Sequence, residues 1–441
     1  MPDPGGELHD DVLRRMLEVA RHLSGSADLR QILSVIINAM RDTLAAERAT
    51  VFEYDEARGQ LVATVAHGLD PAALSGLQEI RIPADRGLAG QCAQQRSIIN
   101  VPDAYADDRF DRSIDARTGY RTRSILTVPL LDDDQSLIGV TQVLNKIGGP
   151  FDDRDEEIAL GLGSLAAVAI RRGRLLEDRL VREKLQRDLQ LARQIQQSTF
   201  PKQLPRLDGF GLAAWSEPAE ETGGDVFDVI GFRAGRAIAG GDEADRALLL
   251  LADATGHGVG PALAVTQLRA MLRMAARIGA DLPTVARHIN HQLCDDLPTG
   301  RFITAWMGEL NVADLSLQSF SAGQGPLLQF DAARDAFEQL HGDTLPFGVE
   351  RDLDITMAPP IHLGEGDIFA VVSDGIFEAT DDRGREFSAG RAMDVIHAHR
   401  GESAQAILDG LKGAVAAFSG DTAAADDRTA IIIKREAPPI S

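Results

Sequence analysis

Five short acidic motifs stand in the second half of this chain: Gly-Gly-Asp at 223–225, Ala-Asp-Ala-Thr-Gly-His-Gly at 252–258, Gly-Asp at 366–367, Ser-Asp-Gly at 373–375 and Asp-Asp-Arg-Thr at 426–429. Asp225, Asp253, Asp374 and Asp426 each lie beside a hydrophobic run readable as a strand, such as ALLLLA at 247–252 or IFAVV at 368–372. A carboxylate at the end of a buried strand is costly unless something neutralises it. Several of them together suit a hard divalent cation, because Mg²⁺ and Mn²⁺ take oxygen ligands and no thiolate. The residue types therefore point to an oxygen-ligated metal site.

Between and around these motifs run Pro261-Ala262-Leu263, Arg301-Phe302-Ile303-Thr304, Ala322-Gly323-Gln324-Gly325-Pro326, Pro346-Phe347-Gly348 and, after Ser-Asp-Gly, Ile376 with Glu378-Ala379. In this order the set resembles the metal-dependent protein phosphatases (PPM), in their bacterial SpoIIE-like branch. The likeness extends over residues 191–436, including the lead-in Ala192-Arg193-Gln194-Ile195-Gln196 and Phe200-Pro201. It implies a central antiparallel β-sandwich with helices on both outer faces, two Mn²⁺ or Mg²⁺ ions and hydrolysis of a phosphomonoester by water.

Carried onto this sequence, the bridging and catalytic carboxylate is Asp253, the backbone carbonyl of Ala254 is a further ligand, and Asp374 and Asp426 are the remaining direct ligands. Asp225 matches an acid that contacts the metals, often through water, and Asp427 is the alternative to Asp426, since two adjacent acids cannot be separated by sequence alone. His257 lies in a glycine-flanked turn after Asp253, where an imidazole can donate to phosphate or protonate a leaving group; a packed loop histidine is the other reading. Asp228 and Glu378 are read either as groups orienting metal-bound water or as surface turn acids, Thr255 and Thr429 as hydroxyl caps, and Arg301 as a substrate contact or a surface residue. One position departs from the family pattern: Gln324 stands where histidine is expected, so acid–base work is excluded there while hydrogen bonding survives.

Elements that must position these groups are visible in the periodicity. Leu263, Leu268, Met271, Leu272, Ala275 and Ile278 make one helical stripe, and Ile407, Leu408, Leu411, Val415 and Phe418 another. Strands are predicted at 302–310, 315–321, 327–330, 368–373 and 429–434. In the first half, two amphipathic helices, 12–23 and 29–44, precede strand-like segments at 49–54, 61–66, 97–101, 124–131 and 137–144. This α+β block, residues 27–172, resembles a GAF domain, with Gly87-Leu88-Ala89-Gly90 opening a helix and Val128-Pro129-Leu130 entering a strand.

At its end Asn145, Lys146, Phe151, Asp155 and Glu156 match the signature of GAF domains that bind cyclic nucleotides, in which the lysine and the aspartate pair to hold the domain closed. The resemblance implies a cyclic nucleotide or another small ligand. The alternative is structural, a strand end capped by Asn145 and a helix start whose acids favour its dipole. The connector from 156 to 199 lacks proline and carries Leu176, Leu180, Leu185, Leu189, Ala192 and Ile195 at spacings of three to five, which predicts one or two long helices pairing with a second copy; a lone solvated linker helix is the other reading.

Composition fits an intracellular regulatory enzyme. A net charge of −22 over 441 residues argues against nucleic acid, whose binding needs clustered Lys and Arg. The two cysteines, Cys92 and Cys294, have no ligand-like spacing, and no stretch is apolar for long enough to span a bilayer, so a cytoplasmic protein with no membrane contact is expected. The expected organisation is an N-terminal helix at 1–26, a GAF sensor at 27–172, a helical transmitter at 173–203 and a PPM-type α-β-β-α domain at 204–436. The function expected is a sensor-regulated serine/threonine phosphatase acting on a phosphoprotein, by kinship a STAS-type anti-sigma-factor antagonist. A catalytically silent scaffold that binds ligand and docks a partner is the competing class.

Overall fold

The computed structural model describes residues 28–67, 81–342 and 344–436, with scattered helical residues between 14 and 21. Most of the helix expected at 12–23 lies outside the described residues. The chain divides into two compact units, Met1–Lys184 and Leu185–Ser441.

In the first unit, helix α1 (Leu29–Thr43) starts where the Asp28 carboxylate accepts the amides of Arg30 and Gln31, and it buries Ile32, Leu33, Ile36, Ile37 and Met40. Strands β1 (Ala46–Asp55), β2 (Gln60–His67), β3 (Arg81–Pro83), β4 (Ile99–Val101), β5 (Ile125–Leu131) and β6 (Leu137–Lys146) form, among the described residues, one antiparallel sheet in the order β3-β2-β1-β6-β5-β4. Alternation sends Val51, Val128 and Val143 to one face, against α1, and Phe52, Ile125 and Val140 to the other, against helix α2 (Gly87–Gln95). A short helix, α3 (Ser113–Thr118), leads into β5.

Helix α4 (Asp153–Thr199) is a single run of 47 residues, so the predicted connector is the continuation of a helix that opens at the end of the first sheet. Its beginning buries Ala159, Leu162, Ala166 and Ile170 against the core shared with α1. Farther along, Leu175, Leu180, Leu185 and Ile195 are 60%, 65%, 58% and 59% exposed.

The second unit is a two-sheet sandwich. One sheet has the order β10-β9-β12-β13-β14-β17, built from β9 (Asp225–Arg233), β10 (Arg236–Ala237), β12 (Arg246–Ala254), β13 (Ile303–Asn311), β14 (Ser316–Ala322) and β17 (Ile361–His362). The other has the order β11-β7-β8-β19-β18-β15-β16, from β7 (Arg206–Leu207), β8 (Phe210–Glu217), β11 (Glu243–Ala244), β15 (Leu327–Asp331), β16 (Ala336–Leu340), β18 (Ile368–Val372) and β19 (Arg428–Arg435). Between the sheets lie Phe227, Leu249, Leu251, Trp306, Phe369, Val371, Ile431 and Ile433. Helices α5 (Val259–Ile278) and α6 (Leu282–Asp296) cover the outside of the first sheet, and α8 (Ser388–Ala398) and α9 (Ala404–Ser419) cover the second. A four-residue turn of helix, α7 (Asp374–Phe377), follows β18 directly. The fold is α+β, with helices segregated to the outer faces of both sheets.

Candidate metal centre

Pairing places Asp225 of β9 directly opposite Asp253 of β12. Phe227, Val229, Leu249 and Leu251 point between the sheets, so the two-residue period sends both acids to that same inner side. From the facing sheet, β18 and β19 pair with Val372 opposite Ala430, which brings Asp374, just after β18, beside Asp426, just before β19. Asp225 is 2% exposed, Asp253 is half-buried, and Asp374 and Asp426 open to solvent. The four acids therefore run from the floor to the rim of one mouth at the end of the sandwich.

The turn that carries Asp225 is held residue by residue. Gly223 donates its N–H to Gln196 Oε1 at 3.1 Å, and its carbonyl accepts Gln196 Nε2 at 2.6 Å. The Gly224 carbonyl accepts the Ala254 N–H at 3.1 Å, and the Asp225 N–H donates to Asp427 Oδ2 at 3.2 Å. A Cβ on Gly224 would stand 2.9 Å from the Ala254 carbonyl oxygen and 3.3 Å from Asp253 Oδ1, so only glycine lets the turn approach these oxygens. On the other side of Asp253, Thr255 Oγ1 donates to the Phe302 carbonyl and accepts its N–H, both at 3.2 Å, while Arg301 Nη1 donates to the Thr255 carbonyl at 2.7 Å. Gly256 has φ +93°, a conformation that side chains rarely adopt, and a Cβ there would displace the Arg301 guanidinium. Arg301 and Thr255 are thus committed to the loop.

Electrostatically the acids act on one another. Burial, then the charge of Asp253, push the Asp225 carboxyl well above the usual range, and its Oδ2 is buried without a hydrogen-bond partner. Burial, followed by Asp374 and Asp426, pushes Asp253 up to about 7. Asp374 rises for the same reasons, through crowding by protein and then through Asp426, although its side chain reaches solvent. Arg428, inside the last motif, turns away to donate to Ser419 Oγ at 3.2 Å. Among the described residues no group of three or more Asp, Glu, His or Cys side chains stands close enough together to hold a metal ion as it is. The donor set nevertheless fits a hard divalent cation: every candidate ligand is an oxygen, one carboxylate oxygen is orphaned, and the raised carboxyls mark where positive charge is wanted.

Several assignments sharpen. Asp427 spends its carboxylate on backbone, accepting the Ala219 N–H at 2.7 Å as well as that of Asp225, and so holds the turn, leaving Asp426 as the ligand candidate of the pair. Asp228 is neither a turn acid nor an orienter of metal-bound water: it is fully buried on the opposite face of β9, bound to Arg269 at 3.0 Å and to Arg273. Glu378 lies within the field of Asp374, burial and that charge raising its carboxyl. His257 is 83% exposed on the loop after Asp253, with Nδ1 3.2 Å from Glu220. Thr429 donates to Ser216 Oγ at 2.9 Å. Gln324 is buried, accepting from Thr304 at 3.0 Å and donating to the Val372 carbonyl at 3.3 Å. Asp367 of the Gly-Asp motif sits at the other end of β18, where it accepts the amides of Ala332 and Gly364.

The five residues of the N-terminal signature meet in one corner and bind protein. Asn145 Oδ1 accepts the Arg123 N–H at 2.6 Å, and its Nδ2 donates to Glu47 at 2.9 Å and Tyr120 at 2.7 Å. Lys146 pairs with Asp155, Phe151 is buried in the core, and Glu156 accepts from Asn100 at 2.9 Å. Glu47, Tyr120, Arg123 and Asn100 complete this corner although no motif points to them; they come from distant parts of the chain. Burial would raise Glu47, but the hydrogen bonds from Asn145, Arg123 and Tyr120 outweigh it and hold the carboxyl down at about 2.

A helix-flanked antiparallel sheet is thus followed in the chain by an α-β-β-α sandwich with acids at one end. Residues 28–170 match the GAF domain family and residues 243–436 match the family described as Stage II sporulation protein E (SpoIIE), so the chain carries a GAF-family region followed by a SpoIIE-family region. Among curated proteins it is similar to the dual 3',5'-cyclic-AMP and -GMP phosphodiesterase 11 of Drosophila melanogaster, 32% identical over 184 residues, 40% of this chain and only 13% of that protein's length. Among solved structures it is similar to the SiaA-PP2C domain of Pseudomonas aeruginosa, with 19% identity, 58% of this chain and 98% of that one covered and a TM-score of 0.47. The PP2C phosphatase domain and regulatory fragment of SpoIIE from Bacillus subtilis matches with 12% identity, 98% and 96% covered and a TM-score of 0.43.

Proposed function

We propose that this chain is a sensor-regulated, Mn²⁺- or Mg²⁺-dependent protein serine/threonine phosphatase. The observation that carries the reading is the convergence of Asp225, Asp253, Asp374 and Asp426 on one mouth, with the carboxyls of Asp225 and Asp253 raised by burial and by one another. Two bound ions would supply a nucleophilic water and neutralise phosphoryl oxygens. Asp253, Asp374, Asp426 and the Ala254 carbonyl would hold them, with Asp225 beneath. His257, exposed on the loop after Asp253, would give a proton to the departing alkoxide in this reading. Kinship with the SpoIIE family supports a phosphoprotein substrate of the STAS-type anti-sigma-factor antagonist class, in the cytoplasm.

The GAF unit is the sensor in this reading, and cyclic nucleotides are the first ligand class to test. The exposed leucines of α4 support a homodimer. Replacing Leu185 and Leu189 with Glu is expected to convert a dimer to a monomer in analytical ultracentrifugation; a wild type already monomeric at micromolar concentration excludes this part.

Hydrolysis of p-nitrophenyl phosphate and a phosphoserine peptide, with Mn²⁺ and with chelator, tests the central claim. Activity that needs the metal is expected, and full-length protein inert under every metal condition returns the silent scaffold. His257→Ala should lose about a hundredfold on phosphoserine and little on p-nitrophenyl phosphate, whose phenolate leaves without a proton. Equal losses on both would assign His257 to packing.

A further inference from the structure

Gln196 is a buried polar side chain that the proposed chemistry leaves unused. It is 7% exposed, in the last turn of α4, and its amide meets both polar groups of one peptide residue, the N–H and the carbonyl of Gly223. Its neighbours do not share this role. Gln197 is exposed, and Ser198 and Thr199 turn back to their own helix at Ile195 and Gln196, each at 2.7 Å. One residue past the helix, Phe200 stacks on Phe227 with ring centroids 5.1 Å apart. The end of α4 therefore grips β9 and its lead-in at residues 223 and 227, on either side of Asp225. A cleft of about 280 Å³ lies under this grip, lined among others by Gln196, Phe200, Trp215, Asp225 and Phe227.

We propose that Gln196 is a positioning residue for the Asp225 carboxylate, so that the affinity of the acid cluster for a divalent cation depends on where the last turn of α4 stands. This rests on the metal-centre reading above. A Gly-Gly turn has no side chains of its own to fix it, and glycine has the widest backbone freedom. Of the three holders of the turn, the Ala254 amide and the Asp427 carboxylate belong to the sandwich, whereas Gln196 alone comes from the helix. The pairing also demands this residue type. Gly223 offers one donor and one acceptor, which a primary amide answers in full, a carboxylate answers by half, and a thioether of the same length does not answer. The cleft beside Asp225 leaves room for the turn to relax once the amide is gone.

The test uses the full-length protein with Gln196→Met, Gln196→Glu and Gln197→Met as control. Three quantities are read: Mn²⁺ affinity by calorimetry, amide hydrogen exchange over residues 222–226, and the metal-free melting temperature by tryptophan fluorescence. Losing both hydrogen bonds in Gln196→Met should weaken Mn²⁺ binding about tenfold and speed exchange at Gly223 and Asp225, with Gln196→Glu between it and the wild type. Metal-free melting should change little, and turnover should recover at saturating Mn²⁺. Unchanged Mn²⁺ affinity in Gln196→Met overturns the proposal, and so does a melting temperature that falls in both Gln196 variants in step with the affinity, which would mark a purely structural contact. The outcome that instead removes the metal centre is separate: Asp253→Asn would bind Mn²⁺ as well as the wild type does.

Discussion

Asp225 and Asp228 lie on the same strand, both buried, three positions apart and therefore on opposite faces. Asp228 faces α5 and meets Arg269 and Arg273; Asp225 faces the space between the sheets and meets other acids. A buried carboxylate with matched cations is a structural element, whereas one left among like charges raises its proton affinity and waits for a counter-charge. Glu47 and Asp253 repeat the contrast between the units. Donors hold the first, a partly exposed side chain, near 2, and burial with neighbouring acids lifts the second to about 7. Burial alone therefore does not set a carboxyl's proton affinity; the charges that share its face do.

If that contrast is right, the largest effect belongs to the unpaired acids that face the proposed ions. Asp253→Asn and Asp374→Asn should each lose roughly a thousandfold or more in Mn²⁺-dependent turnover while the fold survives, because a missing ligand leaves the attacking water poorly activated. Near-normal turnover at saturating Mn²⁺ in either variant would undo the ligand assignment.

Exchanging the treatment of the two acids on β9 comes next. Asp228→Asn strands two arginines near a lost partner and should cost about 3 kcal/mol in chemical denaturation. Asp225→Asn removes a like-charge conflict and should leave the metal-free protein as stable as before or more so, while weakening Mn²⁺ binding. Equal destabilisation by both would erase the distinction.

The smallest effect is a pH trend. Asp253 has a folded value near 7, above its unfolded value of 3.8, so the stability associated with its protonated form is fully present below 3.8 and is lost as pH rises through about 7. Both tryptophans, Trp215 and Trp306, lie in the C-terminal unit, and their fluorescence reports its melting. In chelator, that melting temperature should fall between pH 5 and pH 8, and Mn²⁺ should reverse the fall at pH 8. A flat profile would place the acids farther apart than the sandwich brings them.

Much of the scaffold was legible because its residues obey simple periods. The strand expected at 302–310 is Ile303–Asn311, that at 429–434 is Arg428–Arg435, and the helical stripe from Ile407 to Phe418 lies within Ala404–Ser419. Helix α6 went unread although Leu282, Val285, Ala286, Ile289 and Leu293 share its buried face; the polar Asn290 beside them is also buried, its Nδ2 donating to the carbonyls of Glu350 and Arg351. Strand β8 carries small residues, Gly211, Ala213 and Ala214, which weaken the alternation that marks a strand.

The order of acidic motifs, the oxygen-only donor set and the glycines that admit close approach were determined by the sequence itself, since these are properties of residue type and local spacing. Which acids share a mouth was decided by tertiary structure. Strand register put Asp225 opposite Asp253, and sandwich packing set Asp374 and Asp426 over them, while Asp427 was drawn to the Ala219 and Asp225 amides and Asp367 was left at the far end of its strand. Gln196 and Gly223 both stand in motifs read from the sequence, but their contact joins residues 27 apart and only packing reveals it. A two-residue period tells which side of a strand an acid occupies, but only packing tells what charge awaits it there.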